Sequence, residues 1–184
     1  MPQTTSTAPT RIDPRRVISH RRSLHFADIE AVLAEAQRLR DLVDGGNTVR
    51  ADLAGPDVRL VHLANLPLGQ MLGHLGLTLG LSVHGSEYRF PWPMRMLMGL
   101  MRNKFLNGGL GQPVDAPARL NQDLQPDPAI DADTGLRILR ENVAAFEAAQ
   151  ALKPNLMLGE ISREEWVALT CRHAEWHLSF IIER

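Results

Sequence analysis

Residues 172–177 read RHAEWH and place His173 and His177 four positions apart. On a helix such a pair shares one face, with Cβ atoms about 6 Å apart. One ion can bridge two imidazoles at that spacing, since each ring nitrogen binds at about 2.1 Å. The same spacing also suits two polar residues tolerated on a packed face, and by itself it does not choose. A third imidazole bears on the choice. His74 stands in the middle of LGQMLGHLGLTLG, an apolar segment. There it reads either as a core histidine bonded to a carbonyl or as a third ligand. Three imidazoles on the inward sides of two helices is how metal sites in helical bundles are built. Gln70 lies one turn before His74 and is a candidate to orient a bound water or ligand; the bland alternative is a helix-surface amide.

The remaining candidates are weaker. His20 and His25 precede the first helix, His62 falls in a connection and His84 ends the second helix. All four read as solvated or locally bonded. Cys171 points about 160° away from His173 on a helix, so it reads as a small packed residue rather than a ligand. Glu141, Glu147, Glu160 and Tyr88 are candidates for a general base by residue type only.

Five helical segments can position these residues, and no stretch reads as a convincing strand. Apolar periodicity predicts helices over about 27–43, 66–84, 93–106, 132–152 and 163–182. Asn65 is the expected cap of the second, and Gly85 its stop. Ser162 with Glu165 forms a capping box at the start of the last helix. On that helix Trp166, His173 and Phe180 fall on one line. Connections 44–65 and 107–131 are long enough to retrace a helix, whereas 85–92 and 153–162 are short. The expected fold class is therefore all-α: a four-helix bundle with two long crossover connections plus an additional short helix. Residues 1–22, beginning with Thr, Pro and Ser, read as a flexible tail, and 23–184 as a single domain.

The totals exclude several classes. With 184 residues and a net charge of −1, nothing pulls the chain toward nucleic acid. No apolar run is long enough to span a bilayer, and no apolar stretch follows the Arg pairs at 15–16 and 21–22 as a signal peptide would require. One cysteine excludes an internal disulfide and a Cys-rich zinc site and fits a reducing cytoplasm. Four methionines (Met94, Met96, Met98 and Met101) read as adaptable packing in the third helix, with a substrate wall or dimer face as the sharper reading.

LPLGQMLGHLGLTLGLSVHG, ISREEWVALTCRHAEWHLSF and PWPMRMLMGLMRNKFLNGG together resemble the DinB-like superfamily, in a branch catalogued as a domain of unknown function. The matching stretches cover about residues 22 to 182. Leu66-Pro67 and Trp176 stand where that family commonly has Trp and a further His. The resemblance implies a four-helix bundle of unusual connectivity, often a homodimer. It also implies a divalent metal held by His74, His173 and His177. Zn, Ni or Fe suits imidazole donors. Some relatives activate a low-molecular-weight thiol. The expected function is a metal-dependent hydrolase or thiol transferase acting on a small molecule. The alternative is a non-catalytic bundle that binds a metal or ligand and works through protein interaction.

Overall fold

The computed structural model describes residues 11–43, 46–108, 117, 120 and 123–184. The early tail, Gly45 and much of the second long connection, Pro113 included, lie outside the described residues. The chain is mostly helical with a small three-stranded sheet. The helices are α1 (Ile29–Asp41), α2 (Leu68–His84), α3 (Trp92–Leu100), α4 (Arg102–Asn107), α5 (Ala132–Ala148) and α6 (Arg163–Leu178). Among the described residues no helix is long and apolar enough to cross a membrane.

The helical content bears out the all-α class in outline, and the small sheet corrects only the expectation that no stretch forms a strand. Strand β1 (Val49–Arg50) runs parallel to β2 (Leu60–His62), and β2 runs antiparallel to β3 (Ile181–Glu183). These strands are two or three residues long, too short to show a period of two in the sequence. β3 also shortens the last helix, expected to reach 182. Phe180 thereby leaves the line of Trp166 and His173 and stacks edge-on against Trp176, 5.2 Å between ring centres. The expected third helix is two: Met101 breaks it with φ −92° and ψ 6°.

Caps explain most of the boundaries. Asp28 and Asp131 accept from the free N–H groups of α1 and α5, and the Ser162–Glu165 capping box is present on α6. α2 is capped differently from expectation. The Leu68 and Gly69 amides donate to Thr48 Oγ1 (2.9 Å) and Asn47 Oδ1 (3.0 Å), both from the first long connection. Asn65 instead exchanges two hydrogen bonds with the Ile12 backbone. Of the tail expected over 1–22, residues 11–22 lie against this end of the molecule and against α6, where Arg22 donates to the Leu178 carbonyl. α5 stops at Ala148, short of Pro154, because the Arg163 guanidinium takes the Phe146 and Ala149 carbonyls. Gly85 ends α2 with φ +74°, a conformation that side chains rarely adopt.

One contact sets the placement of α2. Its glycines recur at 69, 73, 76 and 80, along one helical stripe. A Cβ at Gly76 would lie 2.8 Å from Leu139 Cα of α5, and one at Gly73 would lie 2.6 Å from Pro126 Cγ. Gly135 of α5 returns the fit, since its Cβ would meet the Gly69 carbonyl oxygen at 2.1 Å. Backbone thus meets backbone, and Leu72, Leu75 and Leu79 fill the main core beside the contact.

Gly76→Ala is expected to destabilise the protein. The overpacking cost of about 1–3 kcal/mol outweighs the gain of about 1 kcal/mol in helix propensity. Gly99→Ala, with nothing within 4 Å of the new methyl, has the opposite sign, up to about 1 kcal/mol. Urea denaturation of the two variants measures both. A Gly76→Ala protein as stable as its parent would refute the close contact.

Candidate metal centre

The glycine stripe turns a second face of α2 toward α6, and that face carries His74 and, one turn later, Thr78. α6 carries His173 and His177 on the side that meets them. The three rings converge in edge-on pairs, with centres 5.1 Å apart for His74–His173, 4.8 Å for His74–His177 and 4.6 Å for His173–His177. One nitrogen from each lies within 4.8 Å of the others. Ligands of one ion at about 2.1 Å stand at most about 4.2 Å apart, so small ring movements suffice to share an ion.

Hydrogen bonds decide which nitrogens are available. His74 Nδ1–H donates to the Leu124 carbonyl at 2.8 Å, because a carbonyl only accepts. This frees Nε2 of His74 as a lone pair. The Thr78 hydroxyl proton is used on the His74 and Leu75 carbonyls, at 3.0 and 2.9 Å. Its oxygen therefore accepts from His173 Nδ1–H, at 3.3 Å. Nε2 of His173 is freed in the same way. His177 Nε2 sits 3.0 Å from that nitrogen, close enough for two ligands of one ion. Metal-binding imidazoles are held in this manner by the group on their other nitrogen.

The electrostatics favour neutral rings. Burial lowers the pKa of His74, and burial followed by repulsion from His74 pushes His173 down to about 3. Burial, then His173 and His74, lowers His177 far below the ordinary value. All three remain lone-pair donors at neutral pH. Three neutral nitrogens fit a divalent ion, and nothing in the donor set opposes it.

The other sequence candidates lie elsewhere. Gln70 is buried, and its Nε2–H donates to the Pro126 carbonyl at 2.9 Å, tying the second long connection to α2. Cys171 is packed in the main core, where burial pushes its thiol up to about 11. Glu141 pairs with Arg137 on the surface (2.7 Å), Glu147 and Glu160 are exposed, and Tyr88 stacks on Phe90. His62 is buried rather than solvated and is bonded to Thr48 Oγ1 at 3.0 Å. His25 lies exposed beside Glu175. The sequence reading missed Thr78 and the Leu124 carbonyl. Thr78 stands four residues after His74, so its place on the same face was legible.

Residues 18–184 match the model of a family described as protein of unknown function (DUF1569). The chain belongs to this family. Neither the curated proteins nor the solved structures gave a match. Family membership therefore carries no activity with it, and the function rests on the residues themselves.

The buried histidines set a pH dependence. Their folded pKa values lie below the unfolded value of about 6.5. Between the two, the unfolded chain binds more protons, so stability rises with pH and is lost on acidification. The window is bounded below by about 3 for His173 and about 4 for His62, whose shift also comes first from burial. Chelator-treated protein should lose up to about 1.4 kcal/mol per pH unit for each such histidine below about pH 6.5. His173→Gln should flatten the slope. Denaturation at several pH values measures it, and a flat profile down to about pH 5 would show that the rings protonate in the folded state.

Proposed function

We propose that the protein is a DinB-like metalloenzyme with a three-histidine divalent metal site, acting on a small molecule as a hydrolase or thiol transferase. The long helices α1, α2, α5 and α6 are its bundle, and the two long connections are its crossovers. The observation that carries the reading is the pair of locked tautomers. Leu124 and Thr78 each occupy an Nδ1 and turn an Nε2 toward a common point. A core histidine needs one satisfied nitrogen; here the Nε2 atoms of His74 and His173 are both left as lone pairs beside His177, whose Nε2 lies 3.0 Å from that of His173 and joins them as a ligand once its proton sits on Nδ1.

A divalent ion held there would act as a Lewis acid, lowering the pKa of bound water or holding a thiolate. The chain's own residues orient the donors: Thr78 fixes His173, and the connection at Leu124 fixes His74. The carboxylates that were candidate bases are exposed at the surface, Glu141 paired with Arg137, and this favours substrates that bring their own ionisable group, such as a thiol.

Added zinc or nickel should raise the melting temperature, because a ligand of the native state stabilises it by mass action. His74→Gln and His177→Gln should each abolish most of that rise, and His20→Gln should keep all of it. Thr78→Val removes a group outside the donor set and should weaken metal affinity about 10–100-fold. A metal response that survives both His74→Gln and His177→Gln would place the ion elsewhere. Conjugation assays with a low-molecular-weight thiol then separate the transferase from the hydrolase.

We also propose a homodimer formed through α3. Trp92, Met96 and Leu100 share one face of that helix at 73, 61 and 80% exposure. An apolar face of this kind marks a contact surface. Light scattering should give the mass of two chains, and Leu100→Ser with Trp92→Ser should give that of one. A parent protein that scatters as a single chain at micromolar concentration would refute the dimer.

A further inference from the structure

A second polar cavity lies on another side of α6. It has a volume of about 290 Å³ and is lined by Ile18, Arg21, Arg22, Arg172, Glu175 and Trp176, among others. The histidines face α2, whereas Arg172 and Trp176 face the N-terminal segment, so this cavity is separate from the metal centre. Nothing in the proposed chemistry uses it.

Its walls are basic. Three guanidiniums meet one carboxylate in the lining. Arg172 pairs with Glu175 at 2.8 Å, and Arg22 pairs with Glu35 behind the wall at 2.7 Å. Arg21 is left over. Among the described residues it has no carboxylate partner, and its guanidinium lies over the Trp176 ring, 4.7 Å from the centre. The arginines are held in place by backbone. Arg22 donates to the Leu178 carbonyl at 3.1 Å, and Arg172 donates to the Phe26 carbonyl at 2.8 Å. Donors fixed in advance lose little entropy when a ligand arrives. Arg22 and Arg172 also each keep a buried Nε–H with no hydrogen-bond partner. Both Nε–H groups are closed off from solvent, so Arg22 and Arg172 add positive charge to the wall, and Arg21 supplies the guanidinium that no carboxylate among the described residues takes.

We propose that this cavity binds a small organic anion. Arg21 and the adjoining guanidiniums take its oxyanion group, and the indole of Trp176 takes its body. A fork of N–H donors suits a carboxylate or a phosphate, and a ring bearing an arginine suits a flat or compact apolar body. The volume limits the ligand to small-molecule size. This site stands on its own residues and does not depend on the metal reading.

The test uses the whole chain and two probes, inorganic phosphate and benzoate, each titrated at constant ionic strength. The readout is the Trp176 indole N–H resonance, identified by its loss in Trp176→Phe. At least one probe should shift it saturably, with a Kd in the millimolar range, about −4 kcal/mol, or tighter. Phosphate alone, benzoate alone or both would each support the site and would identify the group it prefers. Arg21→Gln should weaken binding at least tenfold, and Arg21→Lys should fall between. His177→Gln should bind like the parent, and Arg21→Gln should keep the full metal-induced rise in melting temperature, so failure of one site is distinguishable from failure of the other. A shift that stays linear in probe concentration, or equal affinity in Arg21→Gln, would overturn the proposal.

Discussion

The close contact of α2 with α5 is the constraint on which the rest depends. Glycine at four successive turns of α2 lets its backbone press against α5 and against residues 126–131 of the long connection. Larger residues would push the helices apart by the thickness of a side chain. The carbonyls of Leu124 and Pro126 would then move out of reach of His74 and Gln70. The geometry of the candidate metal centre is thus set by residues that bear no functional group.

That contact also decides how polar groups survive in an apolar helix. His74, Gln70 and Thr78 all lie on α2, among leucines. Each is satisfied by a backbone carbonyl, two of them from the second connection and the others from α2 itself. The described end of that connection therefore takes part in the site. It supplies the acceptors without which these donors would be buried at a cost of about 1–3 kcal/mol each. The Leu124 carbonyl also fixes the tautomer of His74, so one hydrogen bond both satisfies a buried donor and orients a ring of the candidate site.

Charge is divided between the two sides of α6. The side facing α2 holds neutral imidazoles, since burial and mutual repulsion both oppose a proton. The side facing the N-terminal segment holds guanidiniums, which stay charged and are partly neutralised by Glu35 and Glu175. Residues one position apart in RHAEWH thus meet opposite electrostatic environments, because adjacent helical positions point about 100° apart.

The sequence by itself determined the four long helices, the capping box on α6 and the shared face of His173 and His177. Each follows from local spacing: a period of 3.6, a side chain three residues from its partner amide, or two rings one turn apart. It also carried the glycine stripe, whose spacing is plain once a partner helix is known. Only the tertiary structure decided that His74 meets the other two, that Thr78 and Leu124 hold them, and that Gln70 ties down a loop instead of standing free. Those contacts join residues 50 to 95 positions apart, and one acceptor in each of the loop pairs is a backbone carbonyl, which every residue possesses. The short strands escaped for the related reason that two or three residues acquire their pairing from distant neighbours. Local periodicity records which face a residue occupies; what that face meets is settled by packing.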